Sequence, residues 1–220
     1  MRKSVLACLA GGVCLVVSVA VAEGPTTATV AAGAPAAATA KAAVVFGQPI
    51  LVTDVGQGNT NKLLEAMLKR AGGFELKSDN MAKAGNLDGV RTLVVGVGAS
   101  TKGLGAAGLN VADEQARTAD LLKAAHEKGI PVIGVHIGGV PRRGELSDGF
   151  NRMVFEKSTV FVAWSGGNED GFFTRLAEET KVPLIVNDDK RGVGDELTKL
   201  LKEGFAPAAA DAATTGTAKE

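Results

Sequence analysis

Cysteine is missing from all but the extreme N-terminus of this chain: its two copies, Cys8 and Cys14, both lie in the opening apolar stretch. With that stretch removed, disulfides, thiolate catalysis and cysteine metal sites are excluded together. Aromatic residues are scarce. They make up 4% of the sequence, with no tyrosine and one tryptophan, Trp164, which leaves few side chains to stack on bases, sugars or flavin rings. An excess of either charge is also absent, since 24 basic residues balance 24 acidic ones and no lysine or arginine run exceeds two. Nucleic acid is therefore not an expected partner. Two histidines far apart in sequence, His126 and His136, offer no zinc spacing. No internal repeat appears. The glycine-lysine signature of a P-loop and the G-x-S-x-G elbow of a serine hydrolase are both missing.

What is present begins with Arg2 and Lys3, an apolar stretch from Val5 to Val21, and Ala20-Val21-Ala22 ahead of Glu23. A basic start, an apolar middle and small residues at a cleavage site make residues 1–22 a secretory signal peptide. A periplasmic or secreted protein follows, with no stable membrane insertion after cleavage. Residues 23–46 turn to Ala, Thr, Pro and Gly and read as a disordered tether. Residues 206–220 share that character and form a disordered tail, leaving 47–205 as one domain, long enough for a core without staples.

Inside that domain, strands and helices alternate. Pro49–Thr53, Phe74–Lys77, Thr92–Val97, Pro131–His136, Thr159–Trp164 and Pro183–Val186 are expected strands. Asn61–Arg70, Val111–Lys128, a helix capped by Ser147 and running to Lys157, Glu169–Glu179 capped by Asn168, and Gly194–Glu203 are expected helices. The charge-free run at Thr92–Val97 has the pattern of a strand buried on both faces. The fold class is α/β: a three-layer sandwich with a mostly parallel, doubly wound sheet, flavodoxin-like or Rossmann-like.

Ligands of such sheets sit beyond the carboxyl ends of the strands. Four loops there are rich in glycine and polar residues: Asp54–Thr60, Gly98–Gly108, His136–Glu145 and Ser165–Asn168. Bare backbone N–H groups, helix N-termini and the cations Lys102, Arg142 and Arg143 point to an anionic small molecule, a carboxylate or a phosphate. Gln57, Asn59, Ser100, Thr101 and Asn168 are the groups that would orient it, and His136 is the candidate base if the site is catalytic. The string Gly103-Leu104-Gly105-Ala106-Ala107-Gly108 spells a dinucleotide motif but starts too far past its strand, and no acidic residue ends the next one. Gly58-Asn59-Thr60 resembles the phosphate loop of flavodoxins, which implies FMN. The aromatic residues that would enclose the flavin are missing apart from Trp164, so no cofactor is expected and FMN stands as the alternative.

From Pro49 to Phe205 the chain resembles a family of exported bacterial α/β domains of unknown function. The residues that carry the resemblance are Val52–Gln57, Gly98–Gly108, His136–Gly139 with Arg142-Arg143-Gly144, and Gly167–Thr174. The resemblance implies an exported single domain and no particular activity. Three readings follow: a binding module for a small anion serving a transporter or envelope partner; a hydrolase or lyase with His136 as base and Lys102 and Arg142 stabilising negative charge; or a structural or interaction domain of the envelope.

Overall fold

The computed structural model describes residues 43–206; the expected signal peptide, most of the tether and the tail lie outside the described residues. Six parallel strands form one sheet, β1 (Ile50–Val55), β2 (Leu76–Ser78), β3 (Thr92–Val97), β4 (Val132–His136), β5 (Val160–Trp164) and β6 (Leu184–Asn187), in the order 2-1-3-4-5-6. That is the flavodoxin-like winding rather than the Rossmann order. Every strand pair is parallel.

The sheet divides the core by the two-residue alternation of its strands. Ile50, Val52, Val94, Ile133, Val135, Val160 and Val162 face α1 (Thr60–Ala71) and α6 (Lys190–Glu203), meeting Leu64, Leu68, Val193 and Leu197. Leu51, Val55, Leu93, Val95, Val97, Phe161 and Ala163 face α3 (Val111–Glu127), α4 (Glu145–Phe155) and α5 (Phe172–Thr180). Phe155 and Phe173 pack there on Phe161 at centroid distances of 4.7 and 5.1 Å. Val44 and Phe205 exchange backbone hydrogen bonds of 2.7 and 2.8 Å, and Phe46 is buried.

Several element boundaries differ from expectation. The segment Gly98–Gly108, read as an open loop, contains a short helix, α2 (Thr101–Ala106), because Ser100 Oγ accepts from Gly103 N and Leu104 is buried beneath it. Ser147 is not a cap: it lies inside α4, where its buried hydroxyl accepts from Ala99 N at 3.2 Å, and Gly144 precedes the helix instead. Asn168 caps α5 from a distance, accepting from Phe173 N at 2.8 Å after a turn closed by Gly171, so the helix starts at Phe172 rather than Glu169. Asp189 caps α6 and starts it four residues before Gly194.

Candidate functional site at the strand ends

The chain winds outward in both directions from the β1/β3 pair, so α1 leaves β1 on one face of the sheet and α2 and α3 follow β3 on the other. A crevice at that reversal is the expected ligand position of this topology. A cavity of about 210 Å³ occupies it. Its walls are the start of α1 (Asn59, Thr60 and Leu63), the end of β3 (Val97 and Gly98), the β4 loop from His136 to Gly139 with Arg142, and Lys190 at the start of α6.

Local sequence explains the close approach. A Cβ on Gly96 would stand 2.8 Å from the Thr60 side chain, and one on Gly58 would stand 2.3 Å from Gly98 O. Glycine at both positions lets the first turn of α1 pack against the end of β3. Asp54, at the end of β1 and 1% exposed, then turns its carboxyl to the amides that begin α1: Asn59 N donates to Oδ2 at 2.6 Å and Thr60 N to Oδ1 at 3.2 Å. Burial raises its pKa to about 7, against the lowering effect of those amides and with a further push from Glu114.

Glu114 is itself buried and held in place. Arg117 donates to both of its oxygens at 2.8 and 2.7 Å, Gly56 N donates at 2.9 Å, and Arg117 also donates to the carbonyls of Asp54 and Ala82. Gln57 belongs to this network: its Nε2 reaches Glu114 Oε1 at 3.2 Å and Asn80 O at 3.1 Å, and it does not line the cavity.

His136 is fully buried, with Nδ1 3.1 Å from Val97 O. A carbonyl only accepts, so Nδ1 carries the proton and Nε2 is left as a lone pair without a hydrogen-bond partner. Burial, aided by the nearby Arg143 charge, holds its pKa down to about 4, so the ring is neutral at physiological pH.

Of the residues expected at the site, the structure brings Asn59, His136 and Arg142 together around one cavity. Thr101 and Lys102 are exposed on the first turn of α2, outside its wall, and Ser100 is engaged as that helix's cap. Arg143 is committed elsewhere: it pairs with Asp148 and Asp170, donates to Gly167 O, and stacks 4.1 Å over the Phe172 ring. Asn168 is committed to capping α5 and donates to Thr174 Oγ1 at 2.9 Å. Sequence reasoning missed Thr60, Lys190 and the buried set Asp54, Glu114 and Arg117. Asp189 was the available signal for Lys190, because an Asp ahead of a helical pattern starts a helix at the next residue. Among the described residues no group of three or more His, Asp or Glu stands in position to hold a metal, and no helix is long and apolar enough to cross a membrane.

Fold and site together define a flavodoxin-order α/β domain with one cationic, glycine-walled cavity at its topological switch point. Residues 47–201 match the family model described as a domain of unknown function (DUF6305), and the chain belongs to that family. No curated protein matches it. Among solved structures it is similar to AlinE4, an SGNH-hydrolase family esterase, and to a mutant of that esterase. Each is 16% identical over 62% of this chain and 73% of the other, with a TM-score of 0.27.

Proposed function

We propose that this domain binds a small anion, a carboxylate or a phosphate, in the cavity at the carboxyl ends of β1, β3 and β4. The observation that carries the reading is the meeting there of Arg142 and Lys190, neither of which has an ion-pair partner among the described residues, with the bare backbone of Gly138 and Gly139; the Lys190 ammonium stands 4.0 Å over the Trp164 ring. Cations without counter-ions beside exposed amides favour an anion entering from solvent. Asn59 and Thr60 orient it, and His136 lies buried beneath the β4 loop that forms its wall. Gln57, Ser100, Arg143 and Asn168 shape the loops around it. The composition of residues 1–22 supports export, with a transporter or envelope component as the partner of such a module.

Titration of acetate and of inorganic phosphate, followed by NMR shifts of the purified domain, tests the assignment. Binding is lost in the Arg142→Ala, Lys190→Ala double variant while its spectrum stays folded; undiminished binding there overturns the site. One observation favours a second reading, a hydrolase or lyase: the neutral His136 keeps a buried Nε2 lone pair without a hydrogen-bond partner beside the cavity. Under that reading a His136→Gln variant still binds and loses turnover, and a fully active variant removes His136 from the chemistry.

A further inference from the structure

Leu63 belongs to two hollows at once. Its side chain, 44% exposed, lines the strand-end cavity and also a groove of about 320 Å³ between α1 and α6. The start of α6 does the same, with Lys190 on the cavity and Arg191 on the groove. Leu63, Ala66, Met67 and Ala71 recur at helical spacing and give the α1 side of the groove an apolar stripe. On the α6 side a Cβ at Gly194 would lie only 3.0 Å from Met67 Sδ, so the glycine brings the helices together without filling the space above them. Arg70, Arg191, Asp195 and Thr198 border this groove, and neither arginine has an ion-pair partner among the described residues.

A cationic cavity that adjoins, across Leu63, a groove with one apolar wall matches a ligand with a charged head and a hydrocarbon chain. We infer that the anion is a carboxylate bearing an unbranched alkyl chain, its head between Arg142 and Lys190 and its chain laid along α1 over Leu63, Ala66 and Met67. This inference rests on the anion-site reading and adds the ligand's class. From Leu63 to Ala71 the helix offers about 12 Å of length at its usual rise, which suits a chain of medium length. Water leaves both the chain and the stripe when they meet, which supplies the affinity that a lone carboxylate lacks.

The test is an NMR titration of the purified domain with acetate, butyrate, hexanoate and octanoate, repeated on an Ala66→Trp variant. That exposed substitution fills the groove and leaves the cavity wall intact. The dissociation constant is expected to fall roughly fourfold with each added methylene until the groove is full. In Ala66→Trp acetate still binds and the dependence on chain length disappears. Acetate binding with no gain from the longer acids overturns the chain-bearing ligand and leaves the anion site standing. A gain that persists in Ala66→Trp overturns the placement of the chain. Failure of every acid, acetate included, overturns the chain-bearing carboxylate, and failure of inorganic phosphate beside them overturns the anion reading as well.

Discussion

Arg143 keeps only 7% of its side chain exposed and divides its donors among Asp148, Asp170 and the carbonyl of Gly167, whereas Arg142, one residue earlier, is exposed and unpaired at the cavity. The sequence offered them as an equivalent pair; burial and partners separate them. Arg143→Ala is expected to cost about 2–3 kcal/mol in denaturant unfolding, because it leaves a half-buried carboxylate without its bidentate donor. Arg142→Ala is expected to change stability by no more than about 0.5 kcal/mol. Asp54 and His136 carry a second residue-scale prediction, in which the signs are opposite. Asp54 has a folded pKa of about 7 against an ordinary 3.8, so the native state binds the extra proton and stability falls as pH rises through that window. His136 has a folded pKa of about 4 against 6.5, so the unfolded state binds the extra proton and stability rises with pH across that range. The two slopes oppose each other between roughly pH 4 and 6.5, each at most about 1.4 kcal/mol per pH unit. Urea unfolding over this range should show Asp54→Asn gaining stability with pH and His136→Gln losing it. Parallel slopes in the two variants would overturn the assignment.

Elements with a long apolar period were legible from the chain alone, and α1 and α3 start and stop close to where their patterns do. Helix α2 was not, since its six residues include two glycines and only one buried side chain, Leu104. Its glycines do different things. A Cβ on Gly103 would fall 2.0 Å from Gln57 O, whereas one on Gly105 would meet nothing within 4 Å. Gly103 is therefore the point at which α2 seats on the β1–α1 loop, and Gly105 merely tolerates the helix. Gly103→Ala should destabilise the domain by about 2–3 kcal/mol through overpacking. Gly105→Ala should stabilise it by about 0.5–1 kcal/mol, by helix propensity and a restricted unfolded chain. Thermal unfolding of the two variants separates the roles, and equal shifts would show that α2 does not seat there.

At the scale of the whole molecule, the sequence placed four loops on one edge of the sheet, which the 2-1-3-4-5-6 order confirms; it could not say which of them meet. That depends on strand order and on which side chains are consumed by their neighbours. The β5 loop lies one strand beyond the cavity and uses Asn168 on its own helix, while Glu114, 58 residues from Gly56, reaches under the β1 loop by a tertiary contact that no local pattern announces. Asp54 accepts from the amides of Asn59 and Thr60, both cavity-lining residues, so its charge lies directly behind the proposed anion site. The groups around it are Glu114 and Arg117 from α3, paired with each other at 2.7 Å, the neutral His136 from β4, and Arg142 and Lys190 on the far wall of the cavity. When Asp54 ionises, a bound carboxylate faces a second negative charge and competes with it for the start of α1. Affinity for hexanoate should therefore rise as pH falls through about 7, the midpoint of Asp54. An Asp54→Asn variant should bind with an affinity that is flat over the same interval. Wild-type affinity that is constant from about one unit above that midpoint to one unit below it, or that increases with pH, would break the link between Asp54 and the site.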